Sequence, residues 1–499
     1  MADIISSVLV QLSREQAQVR YAITDNDDSI TKVICTNAKS YISDEEIVDS
    51  TVNYRGYVLF QIIYQNADGD IKSLDYTVEF KGSTNVDLAG ADVTPIVSSS
   101  VQEVTFDGKN ISATVDIMID GISSRTYDVL TEISDDNVFV ESTSVPYSQY
   151  IGRAQDKFEV ENNIEINDDV AQVLSVCQNV ALVDVKTDAD LITVSYTLYV
   201  DVMYETTSNM VRSVNNSYEL TREIMYGGTT ENSDVISKIA IAVDDTTVNT
   251  MLGDTTNVEL ITKIDYMGDV LNKREIEGIS DAYSTTNYSS IEYSAMPFVN
   301  SVGAVTLDDK ITGSIEVNDT DPFVDDVLGT CCHNVVITRV DMADDTLTVE
   351  GVANTSVLYF TKETNAITSV DVAMPFQTQT MLNDNANALV RANVTMSDLN
   401  VRCRRGKDIE VTGTIDVYAE IAYEDSVTYT SNFEIGNVKP DDECVLSIYI
   451  VKEGDTIWSI AKHLGVSQEM LLEQNPNIEL PLIHGTKMVV FRPRLLDLN

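Results

Sequence analysis

The sequence predicts a mostly β protein in which three tandem β-rich repeats precede a small α+β unit. Through most of the chain, apolar and polar residues alternate over long stretches, which is the pattern of antiparallel strands with one buried face. A cysteine-to-tyrosine spacing recurs, because 27 residues separate Cys177 from Tyr204 and also Cys332 from Tyr359. Only the C-terminal tail shows the three-and-four spacing of helices.

The first repeat follows the same plan more loosely, since Cys35 and Tyr64 are 29 residues apart. The segment 164–168 (IEIND) also recurs as 315–319 (IEVND). The strand before each tyrosine carries alternating apolar residues, which are Val58, Phe60 and Ile62, then Val194, Tyr196, Leu198, Val200 and Val202, then Leu347, Val349, Ala353 and Val357. Such internal similarity indicates duplication of one unit, and about 150 residues is the size of a domain.

A second alternating stretch closes each repeat, beginning near Ile111, Val258 and Ile409, and it is weakest in the second repeat. Clusters of Asp, Asn, Gly and Thr between the stretches favour turns. Helical periodicity is scarce before the tail, although a short helix fits near 325–328. We therefore predict the following division of the chain: repeats at 1–150, 151–300 and 301–438, a linker at 439–446, and a tail unit at 447–495.

The tail predicts the order strand, helix, helix, strand. Asp455 is placed to cap the first helix, which Gly465 ends. Ser467 is placed to cap the second helix, and Pro476 stops it because proline cannot continue a helix. The closing strand is 488–491. The apolar face of the first helix consists of Ile457, Ile460, Ala461 and Leu464.

The charge of the chain argues against two classes of partner. Thirty-two basic and 80 acidic residues give a net charge of −48. Phosphates repel such a surface, so nucleic acid and anionic membranes are poor partners. The N-terminus has no basic segment followed by an apolar run, and no apolar run is long enough to span a bilayer. We therefore expect no secretory signal and no transmembrane segment, and a cytoplasmic location.

The cysteines and histidines give no clear site. None of the six cysteines forms a Cys-x-x-Cys pair, which argues against a zinc site and against a disulfide scaffold. His333 adjoins Cys331 and Cys332, but neighbours on a strand point to opposite faces. Because Cys332 corresponds to Cys177 in the repeat pattern, a small buried residue is the simpler interpretation.

The acidic runs also fit a solvated surface better than a calcium site. The runs at 25–28, 319–321 and 325–326 lack the glycine and glutamate of an EF-hand loop. Neither a phosphate-binding glycine loop nor a dinucleotide fingerprint is present. We therefore predict a protein that is not an enzyme, with no catalytic residue, no metal and no cofactor.

The tail resembles a LysM domain. The resemblance rests on motifs that fall in order along it: Tyr449-Ile450-Val451, Gly454-Asp455-Thr456, Trp458-Ser459-Ile460-Ala461, Leu464-Gly465-Val466, Leu471, Asn475-Pro476-Asn477-Ile478 and Gly485-Thr486-Lys487-Met488. It implies a groove for N-acetylglucosamine polymers such as peptidoglycan or chitin. The two walls of this groove would be the loop before the first helix, with Gly454, Asp455, Thr456 and Ile457, and the loop after the second, with Asn475, Pro476, Asn477 and Ile478.

Two simpler interpretations of these residues stay open. Gly454 and Asp455 are needed for the turn and the cap in any case, and Trp458 can be an ordinary core residue. Some LysM domains hold proteins rather than sugars, so the fold alone does not choose the ligand.

The repeats followed by one LysM unit resemble the SPOCS-domain proteins of spore-forming Firmicutes, and by layout the SipL-type spore coat morphogenetic proteins. The resemblance rests on strand patterns such as 58–64 (VLFQIIY) and 352–359 (VANTSVLY). It implies a mother-cell protein at the forespore surface. There the LysM domain would contact a morphogenetic ATPase that polymerises into the basement layer of the coat.

The resemblance therefore predicts a non-enzymatic scaffold of spore coat or envelope assembly that docks a partner through its LysM unit. One alternative is a peptidoglycan-binding protein in which the repeats are a passive stalk. Another is a self-assembling fibre or shell subunit, in which exposed β edges pair between copies.

Overall fold

A computed structural model describes residues 1–23, 30–242, 247–250, 257–317, 322–343, 345–382, 388–439 and 446–491. At 247–250, 257 and 332 it describes the backbone alone. Within these ranges the chain is nearly all antiparallel β-structure, and its two short helices lie in the tail, which confirms the predicted fold class.

The first repeat consists of six strands in two three-stranded sheets. The strands are β1 (Ala2–Ala22), β2 (Lys32–Val48), β3 (Thr51–Gln65), β4 (Ile71–Asn85), β5 (Asp92–Phe106) and β6 (Asn110–Val129). One sheet has the order β1-β6-β5 and the other the order β2-β3-β4. The first strand therefore pairs with the last, and the middle three strands form a meander.

The second and third repeats have the same plan. The second contains β7 (Val138–Glu165), β8 (Val170–Asp188), β9 (Leu191–Thr206), β10 (Val211–Met225), β11 (Ser233–Ile241), β12 (Thr247–Thr250) and β13 (Asn257–Ser284). The third contains β14 (Asn287–Glu316), β15 (Asp326–Ala343), β16 (Thr346–Thr361), β17 (Ala366–Met381), β18 (Ala388–Arg404) and β19 (Asp408–Val438). Strand β7 pairs with β13 and β14 pairs with β19, while β8-β9-β10 and β15-β16-β17 are the meanders.

The three repeats thus share one strand order. The helix predicted near 325–328 is wrong, because β15 begins at Asp326 and pairs with β16 from there. The predicted boundaries at 150/151 and 300/301 fall inside β7 and β14, so we describe the repeats by their strands.

The alternating residues form the core of each repeat, as the period of two requires. In β3, Val58, Phe60 and Ile62 are each 0% exposed and pack in one cluster with Ile111 and Ile117 of β6. Fully burying an apolar side chain of this size contributes about 1.5–3 kcal/mol. Each repeat is therefore a small two-sheet unit with its own apolar interior.

The three repeats also share cores with one another. Ile63, Met203 and Leu358, which each precede the recurring tyrosine, meet in one buried cluster. A second cluster brings together Ile122, Leu271 and Ala422, on the three strands that close the repeats. Because equivalent residues of all three repeats converge, the repeats are arranged around a pseudo-threefold axis.

The tail unit has the predicted order of elements: β20 (Leu446–Ile450), α1 (Ile457–Leu464), α2 (Gln468–Glu473) and β21 (Lys487–Phe491). Strands β20 and β21 are antiparallel partners. The unit packs on the end of β13. There the hydroxyl of Tyr283 donates to the Val466 carbonyl over 2.6 Å, and its ring packs edge-on against Trp458. Of the predicted linker, 440–445 lies outside the described residues. Neither described helix is both long and apolar enough to cross a membrane.

Candidate functional site

The first wall of the predicted groove is a tight turn followed by a helix cap. Gly454 has a φ of +84°, a conformation that glycine adopts without a Cβ clash. Asp455 Oδ2 accepts from the Lys452 backbone N–H over 2.7 Å and so closes the turn. Thr456, one residue later, is the N-cap of α1, and it forms a reciprocal capping box with Ser459. The prediction that Asp455 caps the helix is therefore wrong, because its carboxylate reaches back to the turn.

The second wall depends on the Asn475 side chain. Its Nδ2 donates to the carbonyls of Leu471 and Val489, both over 2.7 Å. Its Oδ1 accepts from the Val489 N–H over 2.8 Å. These bonds use both amide protons and join the end of α2 to β21, so Asn475 holds the loop in place.

Both loops lie on the tail unit, and none of their eight residues is fully buried. Ile457 and Ile478, one from each wall, are half-buried against the same apolar core. The exposed residues of the two walls are Gly454, Thr456, Pro476 and Asn477. Asp455 and Asn475 are half-buried. The two loops therefore present backbone groups, small side chains and the edges of two apolar residues at the surface of the unit.

A second surface of the unit was missed by the sequence analysis. On the outer face of the β20–β21 ribbon, Ile448 is 62% exposed and Ile450 is 55% exposed. Ile448 pairs across the ribbon with Val489, and Leu446 pairs with Phe491. The alternation of apolar residues at 446–450 was present in the sequence. The face that this alternation marks is exposed, and the buried residue that follows is Val451.

The tail unit is fixed to the repeats through Asp281 of β13. Trp458 Nε1 donates to Asp281 Oδ2 over 2.7 Å, and Lys462 Nζ lies 2.6 Å from Asp281 Oδ1. Burial raises the pKa of the nearby Tyr283 to about 12, so its hydroxyl keeps the proton that it donates to the tail. Trp458 is thus a residue of the junction between the tail unit and the second repeat.

The cysteines are arranged differently from the prediction. Cys35 and Cys331, 296 residues apart, form a disulfide, for which the spacing gave no indication. Strand pairing places Cys177 opposite Asp201. Ser356 corresponds to Asp201 in the third repeat, because each lies three residues before the recurring tyrosine, and the residue opposite Ser356 is Cys331. The equivalence of Cys177 with Cys332 is therefore wrong by one residue, because β15 is irregular between Cys331 and Asn334.

Comparison with protein families identifies two domains. The family described as SipL, SPOCS domain matches residues 29–109, and the LysM domain family matches residues 449–490. The SPOCS match falls on β2 to β5, in the repeat whose cysteine-to-tyrosine spacing differs from that of the other two. Comparisons with curated proteins and with solved structures give no significant match. The two domains indicate a sporulation-related protein with a module of the peptidoglycan-binding type.

Proposed function

We propose that this chain, which joins a SPOCS domain to a LysM domain, is a non-enzymatic scaffold of spore coat or envelope assembly. Its LysM unit docks a partner while the repeats hold that unit in a fixed position. The observation that supports the proposal is the junction at Asp281 and Tyr283, which fixes the tail and leaves its two loops and its apolar face exposed.

The repeats suit the role of a rigid support. A string of independent domains would let the tail move relative to the first repeat. Here side chains of all three repeats pack in common clusters, so one repeat does not rotate without breaking contacts to the others. A partner bound to the tail would therefore be held at a defined orientation.

The apolar face of β20 and β21 favours a protein partner over a sugar. Exposed apolar residues that form a contiguous patch are typical of protein-binding surfaces. Leu446, Ile448 and Ile450 form one row of this patch, beside Val489 and Phe491 on the neighbouring strand. The partner implied by the family resemblance is a coat morphogenetic ATPase or another coat protein, at the forespore surface within the mother cell.

Peptidoglycan binding is the second candidate, and the LysM match favours it. The loops at 454–457 and 475–478 lie on the accessible side of the unit, where a polymer could reach them. In that case the apolar face would have no part in binding, and the repeats would serve as a stalk.

Two substitutions to lysine separate the candidates. Ile448→Lys places a charge on the apolar face, and Asn477→Lys places the same charge in the groove. We expect the purified protein to bind the coat ATPase in a surface-binding assay, with affinity reduced at least tenfold by Ile448→Lys and little changed by Asn477→Lys. Sedimentation with purified peptidoglycan should retain neither variant nor the wild type.

The opposite pattern would reject the proposal. Retention on peptidoglycan that is lost in Asn477→Lys and kept in Ile448→Lys would show a sugar-binding protein. Light scattering of the wild type provides a third outcome, because large assemblies without any partner would indicate a self-assembling subunit.

A further inference from the structure

Three side chains with metal-binding atoms meet at the contact between the second and third repeats. Cys177 lies on β8, Asp201 on the neighbouring β9, and His333 on β15 of the third repeat. One ligand atom from each, a sulfur, a carboxylate oxygen and a ring nitrogen, lies within 4.8 Å of both others. This combination, drawn from strands far apart in sequence, is independent of the LysM unit and of its partner.

The site is enclosed. Cys177 and His333 are each 6% exposed, and the His333 side chain itself is 2% exposed. The Asp201 side chain is 22% exposed, so it is the part of the cluster most open to solvent. A buried imidazole, thiol and carboxylate this close together need a reason for their proximity, because burying polar groups without partners costs free energy.

Thr355 can hold His333 with Nε2 available to bind a metal. Its Oγ1 lies 3.3 Å from the Cys331 carbonyl and 3.0 Å from His333 Nδ1. When the hydroxyl donates to the carbonyl, it accepts from the Nδ1 proton, and Nε2 of the neutral imidazole then presents a lone pair.

That lone pair faces a carboxylate. His333 Nε2 lies 3.3 Å from Asp201 Oδ2, so two electron-rich atoms oppose each other unless a cation lies between them. The Cys177 sulfur, within 4.8 Å of both atoms, is placed to share such a cation.

We propose that Cys177 Sγ, Asp201 Oδ2 and His333 Nε2 bind a Zn²⁺ ion that links the second repeat to the third. In a tetrahedral site, zinc lies about 2.0–2.1 Å from nitrogen and about 2.0–2.2 Å from oxygen, which places the two ligand atoms about 3.4 Å apart. His333 Nε2 and Asp201 Oδ2 are 3.3 Å apart. Cys177 binds as the thiolate and releases its proton to solvent. Water or a further side chain completes the coordination.

The surrounding residues support the ligands as they do in known metal sites. Thr355 accepts from the ring nitrogen opposite the metal, which fixes both the tautomer and the ring orientation. With its amide oriented to satisfy both atoms, Asn215 donates to Asp201 Oδ1 over 3.1 Å. Asp201 Oδ2 is thereby left to face His333.

The full-length protein, treated with chelator, supplied with Zn²⁺ and freed of loose metal, tests the proposal by elemental analysis. We expect one zinc per chain in the wild type, and a loss of bound zinc in Cys177→Ser and in His333→Ala. Cys403→Ser is the matched control, since Cys403 is a free cysteine outside the cluster, and it should keep its zinc. Co²⁺ in place of Zn²⁺ should give a thiolate charge-transfer absorption that Cys177→Ser weakens.

A milder substitution keeps the test decisive if a ligand variant fails to fold. Thr355→Val removes the acceptor of the His333 proton and should weaken zinc affinity about 10–100-fold, whereas Thr355→Ser should retain it. A wild type without bound zinc would overturn the proposal. So would zinc bound equally by the wild type, Cys177→Ser and His333→Ala.

Discussion

Trp458 and Asp281 join two parts of the chain that lie 177 positions apart, through a hydrogen bond of 2.7 Å. Trp458 is the only tryptophan of the protein, and its indole N–H would be left unpaired by an apolar neighbour. Lys462, one helical turn further along α1, reaches the same carboxylate. The LysM unit is thus held to the second repeat by one acid, two donors and the Tyr283 ring.

Asp281→Ala should therefore release the LysM unit from the repeats. Hydrogen bonds to a charged group contribute about 1.5–3 kcal/mol, so opening of the junction should become about ten times more frequent, or more. Limited proteolysis measures this as faster cleavage between the repeats and the tail. Glu292→Ala, which removes an exposed acid of β14, is the control. Equal cleavage rates in the wild type and Asp281→Ala would show that the junction is held by other contacts.

Leu358→Ala and Ile63→Ala should each destabilise all three repeats together. Both side chains are 1% exposed in the cluster that the repeats share, and truncating a buried Leu or Ile costs about 2–5 kcal/mol. Urea unfolding followed by far-ultraviolet circular dichroism should show one transition at lower urea. Met225→Ala, at a position that is 78% exposed, should leave it unchanged. If a single repeat unfolded separately in either variant, the shared core would not couple the repeats.

The strands were predictable, whereas their arrangement around an axis was overlooked. Val58, Phe60 and Ile62 alternate with partly buried residues, which is the local signal of a two-sheet unit. Ile62, Ile63 and Tyr64 are buried in succession, so both faces of β3 are covered at that end. A run of apolar residues at the same point of every repeat was the sequence signal for contact between repeats.

Side-chain roles in the tail were harder to predict because they depend on contacts distant in sequence. The sequence placed the helix cap at Asp455, whereas Thr456 occupies it and Asp455 closes the turn. Likewise, no local pattern brings Cys177 and Asp201 to His333, since strand pairing and repeat packing together create that cluster. The groove residues remain predictions as ligand contacts.

Glu420→Gln should change how stability depends on pH. Burial raises the pKa of Glu420 to about 7, against the attraction of Arg391. Because the folded state holds this proton more tightly than the unfolded state, protonated Glu420 favours the folded state at low pH. It is lost as pH rises from the unfolded pKa through about 7.

Glutamine does not ionise, so Glu420→Gln does not lose stability in this way as pH rises. Its free energy of unfolding relative to the wild type should therefore rise with pH over that range, by on the order of a few kcal/mol. Denaturant titrations at several pH values measure this difference. Taking the difference cancels the repulsion among the many other acidic residues, which both proteins share. Glu434→Gln, at an exposed position, is the control. A constant difference between wild type and Glu420→Gln across the range would contradict the prediction.

Asn475→Ala should destabilise the LysM unit itself, even without any ligand. The substitution removes one hydrogen bond to α2 and two to β21, and the loss should be about 2 kcal/mol. Fluorescence of Trp458 reports this unit selectively, because the chain has no other tryptophan. Its thermal transition should move to lower temperature in Asn475→Ala and stay in place in Asn477→Ala, whose side chain is exposed. An unchanged transition together with weaker ligand binding would instead mean that the Asn475 amide contacts the ligand directly.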